Sequence, residues 1–347
     1  MVKRTIRRSA HKRSVGPVGP DQRTYRPTDH KRQSVVQLAP VPSALVSEGG
    51  RMRKVSSLVG ACTLLGAAVL AAAGPARFVE KAILVTVLDK DNVPIRDLAP
   101  AEFSVSEDGK RREVTGAALS TEPLFVSLLI DTSRPQEGDD ARVRDIRTSL
   151  TTFVKAIHAV SPTAQIALTT VGGASVQIKN FTNQTNELER ITSAMVPDLQ
   201  STTVVLEALM DAARSLEDKK SPRRAIVTLD FASREGSTVE PTTVIEQVFK
   251  AGASVWAVSI HGSMGGTAPR RDTTLNHLTK NTGGIRATAL LPTALEGIMK
   301  NLANSLTSQY EVTFMRPDGS APPKSIVPSA KRGAKFLLSP YIQSTGG

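Results

Sequence analysis

The chain has 347 residues, and 40% hydrophobic content is enough for a folded core, which excludes a wholly disordered protein. Its formal charge is +12, but residues 1–54 hold 13 Lys or Arg and 3 Asp or Glu, so the remainder is nearly neutral. A nearly neutral folded part gives no basic surface for nucleic acid. The single cysteine, Cys62, excludes an intrachain disulfide and a paired-cysteine metal site.

Residues 1–51 are rich in Arg, Lys, Pro, Ser and Gly, and Tyr25 is their only aromatic residue. Such a segment buries too little apolar surface to offset the entropy of ordering, so it is predicted to be a disordered basic tail. We favour the interpretation that these residues precede the true start at Met52. A basic arm for nucleic acid or acidic lipid is the alternative interpretation.

Residues 52–76 have the pattern of a secretory signal. Arg53 and Lys54 precede the uncharged run 55–73, and the small residues Ala71 and Ala73 mark a cleavage site. The run also reaches the lower length limit for a membrane-spanning helix. The remaining chain is therefore predicted to be exported, either periplasmic or secreted. Alternatively, residues 55–73 stay uncleaved and anchor the chain in the inner membrane, with the rest of the chain facing the periplasm. Residues 55–73 are the only membrane contact predicted from the sequence.

Two β-rich segments flank the middle of the chain. Residues 78–120 contain the strand Phe103–Glu107, in which apolar and polar residues alternate, and the hairpin signal Asp108-Gly109. Residues 307–343 show the same alternation of apolar and polar residues. Each segment is too small to be stable alone. We therefore predict that the C-terminal β segment 307–343 packs with residues 78–120 to form one small β module.

Residues 121–306 alternate between strand and helix patterns, which predicts a mostly parallel α/β sheet. Gly172-Gly173 predicts a tight hairpin, so the third strand should be an antiparallel edge. The predicted strands are Leu124–Ile130, Gln165–Thr170, Ser175–Phe181, Arg224–Leu229, Ser254–Ile260 and Gly284–Ala289. The predicted helices are Asp140–Val160, Asn186–Met195, Thr203–Glu217, Thr242–Ala251, Thr273–Asn281 and Pro292–Ser308.

The first of these strands carries the strongest indication of a binding site. The stretch LFVSLLIDTSRP, Leu124–Pro135, is an apolar run that ends in Asp131, Thr132 and Ser133. Open parallel sheets bind ligands at the carboxyl ends of their strands. The sequence therefore places the candidate site in the loop that begins at Asp131.

This stretch resembles the first strand of a von Willebrand factor type A domain. Further blocks follow in the order found in the exported von Willebrand A-related proteins frequent in Acidobacteria, across about residues 79–343. These blocks are VTVLDKDNVPIRDLAPAEFSVSEDGK, TTVIEQVFKAGASVWAVSI, LNHLTKNTGGIRA and NSLTSQYEVTFMRP. The resemblance implies an α/β fold, a three-layer Rossmann-like von Willebrand A domain. It implies a mostly parallel six-stranded sheet with one antiparallel edge, and the flanking segments form a small β-rich module.

The family's D-x-S-x-S loop, a threonine and a second aspartate hold a divalent metal ion that binds an acidic group of a protein partner. Asp131 and Ser133 match the first two ligands, and Thr203 matches the threonine. Pro135 stands at the position of the third ligand, and its side chain has no oxygen atom that could bind a metal. Asp230 lies one residue earlier than the family's second aspartate, and alternation along a strand could turn it away from the site.

These departures imply a degenerate metal site. Asp131, Ser133, Thr203 and Asp230 could still hold Mg²⁺ or another divalent cation in part. The favoured interpretation is that no metal binds, that Asp131 caps its loop, and that Ser133 and Thr203 bind backbone groups near a helix start.

The sequence gives little support for an enzymatic activity. His158, His261 and His277 are scattered, and no G-x-S-x-G, P-loop or G-x-G-x-x-G motif is present. His261 and Ser263 follow the fifth strand and could line the site. We therefore predict a non-enzymatic module that binds a protein partner in the envelope or outside the cell. A metal-independent periplasmic scaffold or assembly component is the alternative, and a hydrolase around Asp131 and His261 is a more distant one.

Overall fold

The computed structural model describes residues 36–37, 77–133, 140–196, 202–231, 233–260 and 268–344. The strands are β1 Val36–Gln37, β2 Phe78–Leu88, β3 Phe103–Glu107, β4 Lys110–Arg112, β5 Val114–Leu119, β6 Phe125–Asp131, β7 Gln165–Val171, β8 Ser175–Thr182, β9 Thr202–Thr203, β10 Arg224–Phe231, β11 Arg234–Glu235, β12 Ser254–Ile260, β13 Arg286–Ala289, β14 Gln309–Pro317, β15 Ser325–Ala330 and β16 Lys335–Ser344. The helices are α1 Asp140–Val160, α2 Thr185–Ser193, α3 Val205–Glu217, α4 Pro241–Lys250, α5 Pro269–Asn281 and α6 Leu295–Leu306.

A six-stranded sheet in the order β13-β12-β10-β6-β7-β8 forms the centre of the α/β unit. Its pairings are parallel except that of β8 with β7, which is antiparallel at the edge. Helices α1, α2 and α6 contribute to the apolar cluster on one face, and α3, α4 and α5 contribute to the cluster on the other. The three-layer fold class predicted from the sequence is thereby confirmed.

Strand β6 shows why this sheet forms. Val126, Leu128 and Ile130 pack in one cluster, whereas Leu129 packs in the other. A strand buried on both faces needs apolar residues at successive positions, which explains why its sequence is a continuous apolar run. The same arrangement brings Asp131, at the end of β6, to the edge of the sheet where its parallel strands end, called here the carboxyl edge.

The flanking segments form a second layered structure, the β module. One sheet has the order β16-β2-β14-β5 and the other β1-β15-β3-β4, and both contribute to a shared apolar cluster. Strands β2 and β5 precede the α/β unit, whereas β14 and β16 follow it, as the predicted fold class requires. Asp108 and Gly109 both have positive φ, 47° and 78°, in the hairpin turn between β3 and β4.

Arg223 connects the two parts of the molecule. Its side chain is 2% exposed, and its guanidinium donates to the carbonyls of Ser120, Glu122 and Leu306 and to the side chain of Gln309. Burial lowers the pKa of Arg223 to about 10, so it stays charged at neutral pH. One buried cation thus joins both chain crossings between the β module and the α/β unit.

The starts of helices α2 to α6 differ from the predicted residues by one to four positions, and two of these differences have a clear physical reason. The helix expected from Thr203 begins at Val205, because Thr203 pairs with Glu235 in a two-residue parallel ladder. The helix expected from Thr273 begins at Pro269, a residue suited to a first helical turn. Within the part of the chain that the structure describes, no helix is long and apolar enough to cross a membrane. The predicted tail and signal, residues 1–51 and 52–76, lie outside it apart from β1.

Candidate functional site

Asp131 is the centre of a hydrogen-bonded network at the carboxyl edge. Its side chain is 3% exposed, and its two oxygens accept the backbone N–H groups of Ser133, at 2.9 Å, and Phe231, at 3.0 Å. Burial raises the pKa of Asp131 to about 6, against these hydrogen bonds, which lower it. The carboxyl group therefore fixes the end of β6 to the end of β10.

Two further contacts join the loops at this edge. The hydroxyl of Ser133 donates to that of Ser233 at 2.6 Å, and both side chains are buried. Thr203 is fully buried, and its hydroxyl lies 3.5 Å from the carbonyl oxygen of Val171 at the end of β7. Three of the four predicted site residues thus make hydrogen bonds to protein groups where the parallel strands end.

Asp230 faces the neighbouring strand and helix. The hydroxyl of Ser259 on β12 lies 3.1 Å and 3.3 Å from its two oxygens, and that of Thr228 donates to one of them at 3.3 Å. Burial raises the pKa of Asp230, and the cations Arg271 and Arg286 oppose this shift. The one-residue offset in the sequence places Phe231, not an aspartate, at the family's second acidic position.

Arg271 is a site residue that sequence reasoning missed. It is 2% exposed, and its Nη2 donates to the carbonyl of Phe231 at 2.8 Å. Its Nε lies 4.0 Å from Asp230 Oδ2, and its Nη1 lies 3.9 Å from Glu235 Oε2. Arg271 Nε and Nη1 and Glu235 Oε2 have no hydrogen-bond partner among the described residues. Asp230 and Glu235 therefore share one buried internal cation.

The described donor set fits a divalent cation poorly. The oxygens of Asp131 already accept two backbone N–H groups, and the Ser133 hydroxyl is bound to Ser233. The guanidinium of Arg271 lies beside Asp230, where a metal would experience its repulsion. Among the described residues, no three His, Cys, Asp or Glu side chains are grouped to hold a metal ion.

Several predicted positions are elsewhere. Pro135, His261 and Ser263 lie outside the described residues. His158, on α1, is buried, with its ring nitrogens 2.9 Å from the Thr185 hydroxyl and 3.0 Å from the Ala164 carbonyl. These contacts give it a structural role. His277, on α5, packs edge-on against Phe249 with ring centres 6.4 Å apart. Neither histidine contacts the Asp131 network.

The order of the central sheet and the helical layers on its two faces give the α/β unit a von Willebrand A-like fold. A scan against protein-family models and a search of curated proteins give no match. Among solved structures, BatB from Bacteroides thetaiotaomicron is 14% identical, with a TM-score of 0.41 over 52% of this chain and 98% of its own. Proximal thread matrix protein 1 from the mussel byssus, with a zinc-occupied MIDAS motif, is 13% identical, with a TM-score of 0.42 over 58% and 49%. The SpRpn10 VWA domain is 12% identical, with a TM-score of 0.36 over 50% and 93%.

Proposed function

We propose that this chain is a protein-binding module that recognises its partner at the carboxyl edge without a metal ion. The observation that carries the proposal is the network in which Asp131 joins β6 to β10 and Ser133 joins Ser233. In this proposal, protein hydrogen bonds supply the loop order that a bound metal supplies in the family. The edge is therefore preorganised for binding before the partner arrives.

The surface beside Asp131 suits a protein partner. A small groove of about 30 Å³ opens next to it, with mostly apolar walls from α1, β6 and the end of β10. Val196, at its rim, is 70% exposed, and Thr132 is half-buried there. An apolar side chain of a partner can contact this rim while polar groups bind the loop backbone. This chemistry supports recognition rather than turnover.

The remaining parts of the proposal come from the sequence. A signal in residues 52–76 would export the module to the periplasm or the exterior, or hold it at the inner membrane through residues 55–73. The partner would then be a protein of the envelope or the exterior. Membership of the exported von Willebrand A-related family frequent in Acidobacteria stays a prediction.

Affinity capture with matched variants tests the proposal. Thr132→Arg introduces a large charged side chain at the carboxyl edge, whereas Thr121→Arg does so just before β6, at its opposite end. The full-length chain and both variants are immobilised and incubated with envelope proteins. Bound partners are then cross-linked to the immobilised protein in situ. We expect Thr132→Arg to lose a partner that wild type and Thr121→Arg retain, with unchanged melting temperatures. Equal capture by all three would reject recognition at this edge and favour the scaffold alternative.

A further inference from the structure

A second concave site lies away from the carboxyl edge, between the α/β unit and the β module. It is a cleft of about 350 Å³. This volume lies within the range of small-molecule sites, which are mostly apolar with a few polar groups. Strand β13, helix α6, the turn after β2 and the start of β16 line it.

The floor of the cleft is apolar. Ile298 and Leu302 line it from one face of α6. Ala287 of β13 and Ile285, the residue before β13, line it from the other side. Three consecutive residues, 285–287, line the cleft, which indicates that the edge of β13 borders it. Strand β13 is terminal in the sheet order, so this edge carries no strand among the described residues.

Among the described residues, one cation that lines the cleft has no counter-ion. The ammonium group of Lys335 makes no hydrogen bond or ion pair with any described residue, and burial alone lowers its pKa. The guanidinium of Arg286, by contrast, binds Asp272 at 2.5 Å and Asn276 at 2.8 Å. The carboxylate of Asp91 is 69% exposed and 3.9 Å from Lys90. Lys335 is thus the cation of the cleft lining that has no partner in the part of the chain that the structure describes.

We propose that this cleft binds a small ligand that has an apolar body and a carboxylate. The carboxylate pairs with the Lys335 ammonium, and the body covers Ile285, Ile298 and Leu302. Asn301, exposed on α6, supplies an amide that can donate to the second carboxylate oxygen. A free fatty acid of medium chain length and the apolar C-terminus of a peptide both present this chemistry.

Trp256 offers a spectroscopic readout of binding. It is the only tryptophan of the chain, and its fully buried side chain lies against the cleft. The full-length protein is titrated with octanoate, octylamine, the tripeptide Ala-Val-Leu and its C-terminal amide, with both tryptophan emission and titration calorimetry as readouts. We expect saturable binding of octanoate, of the tripeptide acid, or of both, and none of octylamine or the amide. Binding of only one carboxylate identifies the source.

Two variants test the assigned residues. Lys335→Gln should weaken carboxylate binding by about tenfold or more, because it removes a charged hydrogen bond. Lys90→Gln, at the exposed neighbouring lysine, should leave binding unchanged. Ala287→Phe, which fills the cleft and retains Lys335, should abolish it, and melting curves verify that each variant is folded. Equal binding of octanoate and octylamine, unchanged affinity in Lys335→Gln, or no emission change and no heat with either carboxylate would overturn the proposal.

Discussion

At the scale of single residues, Asp131 shows what burial does to one carboxyl group. Its folded pKa of about 6 lies above the usual 3.8, so the unfolded chain loses this proton first as the pH rises. The group therefore lowers stability progressively between about pH 4 and pH 6, and by a constant amount above that window.

A pH series with Asp131→Asn measures this effect. We expect the unfolding free energy of the variant, relative to wild type, to increase by about 2–3 kcal/mol between pH 4 and pH 7. Urea denaturation in EDTA measures both proteins at each pH. A difference that is the same at every pH would show that Asp131 ionises in the folded state as it does in the unfolded state.

Arg271 is the buried cation that the acidic residues of the edge share. Arg271→Met removes the guanidinium and leaves the carboxylates of Asp230 and Glu235 buried without this cation. It should lower stability by about 3–5 kcal/mol. Arg270→Met is the matched control, because Arg270 is the neighbouring arginine and its side chain is 48% exposed. This substitution should lower stability by less than about 1 kcal/mol. Equal losses in denaturation experiments would contradict the role assigned to Arg271.

The sequence made half of this site predictable. Asp131 ends a buried strand and Ser133 follows it, and that position alone indicates a site. Arg271 carries no comparable signal, because a polar residue in a first helical turn is ordinary at a protein surface. The contact between Ser133 and Ser233 joins residues 100 positions apart, so it depends on the packing of whole strands.

At the scale of elements, the junction between α5 and β13 depends on two glycines. A Cβ on Gly284 would lie 1.7 Å from the carbonyl oxygen of Val255, and Gly283 has φ +69° beside the backbone of Leu338. The close approach of these backbones seats β13 next to β12. Only glycine fits both positions without movement of the main chain.

Substitutions of two glycines test this junction. Gly284→Ala should lower stability by at least about 1–3 kcal/mol, because the backbone of β12 must move. Gly297→Ala, inside α6 with open space around its Cβ, should raise stability by about 0.5–1 kcal/mol through the helix propensity of alanine. Thermal denaturation of both variants gives the two signs, and a neutral Gly284→Ala would contradict the close packing.

Two strongly patterned elements were predictable to the residue. Helix α1, Asp140–Val160, and strand β12, Ser254–Ile260, have the bounds that their sequences predict. The two-residue strands β9 and β11 were not foreseen, since so short a ladder has no periodic pattern. Their pairing displaces the start of α3 from Thr203 to Val205, so the loop geometry of the site could not be read from the sequence.

At the scale of the whole molecule, the β module and the α/β unit share a core. Leu88 of β2 and Leu337 of β16 belong to the same apolar cluster as Met299 of α6. Arg223 closes the junction with hydrogen bonds to both chain crossings. The two parts should therefore unfold together, in one cooperative transition.

Arg223→Lys tests this junction. Lysine keeps the charge but cannot reproduce the fork of donors, so stability should fall by about 2 kcal/mol or more. Arg214→Lys, on the exposed part of α3, should change it by less than about 0.5 kcal/mol. Calorimetry reports both values, and two separate transitions in the wild type would contradict a shared core.

Thermal unfolding of the full-length chain shows whether protein hydrogen bonds or a bound metal ion order the carboxyl edge. Samples in EDTA and in millimolar Mg²⁺ or Mn²⁺ are compared, with Asp131→Ala beside the wild type. A metal at a hundred times its Kd would stabilise the fold by about 2.7 kcal/mol, a shift of several degrees. We predict that wild type melts at the same temperature in all three conditions. A metal-dependent rise that disappears in Asp131→Ala would show that a metal ion orders this edge.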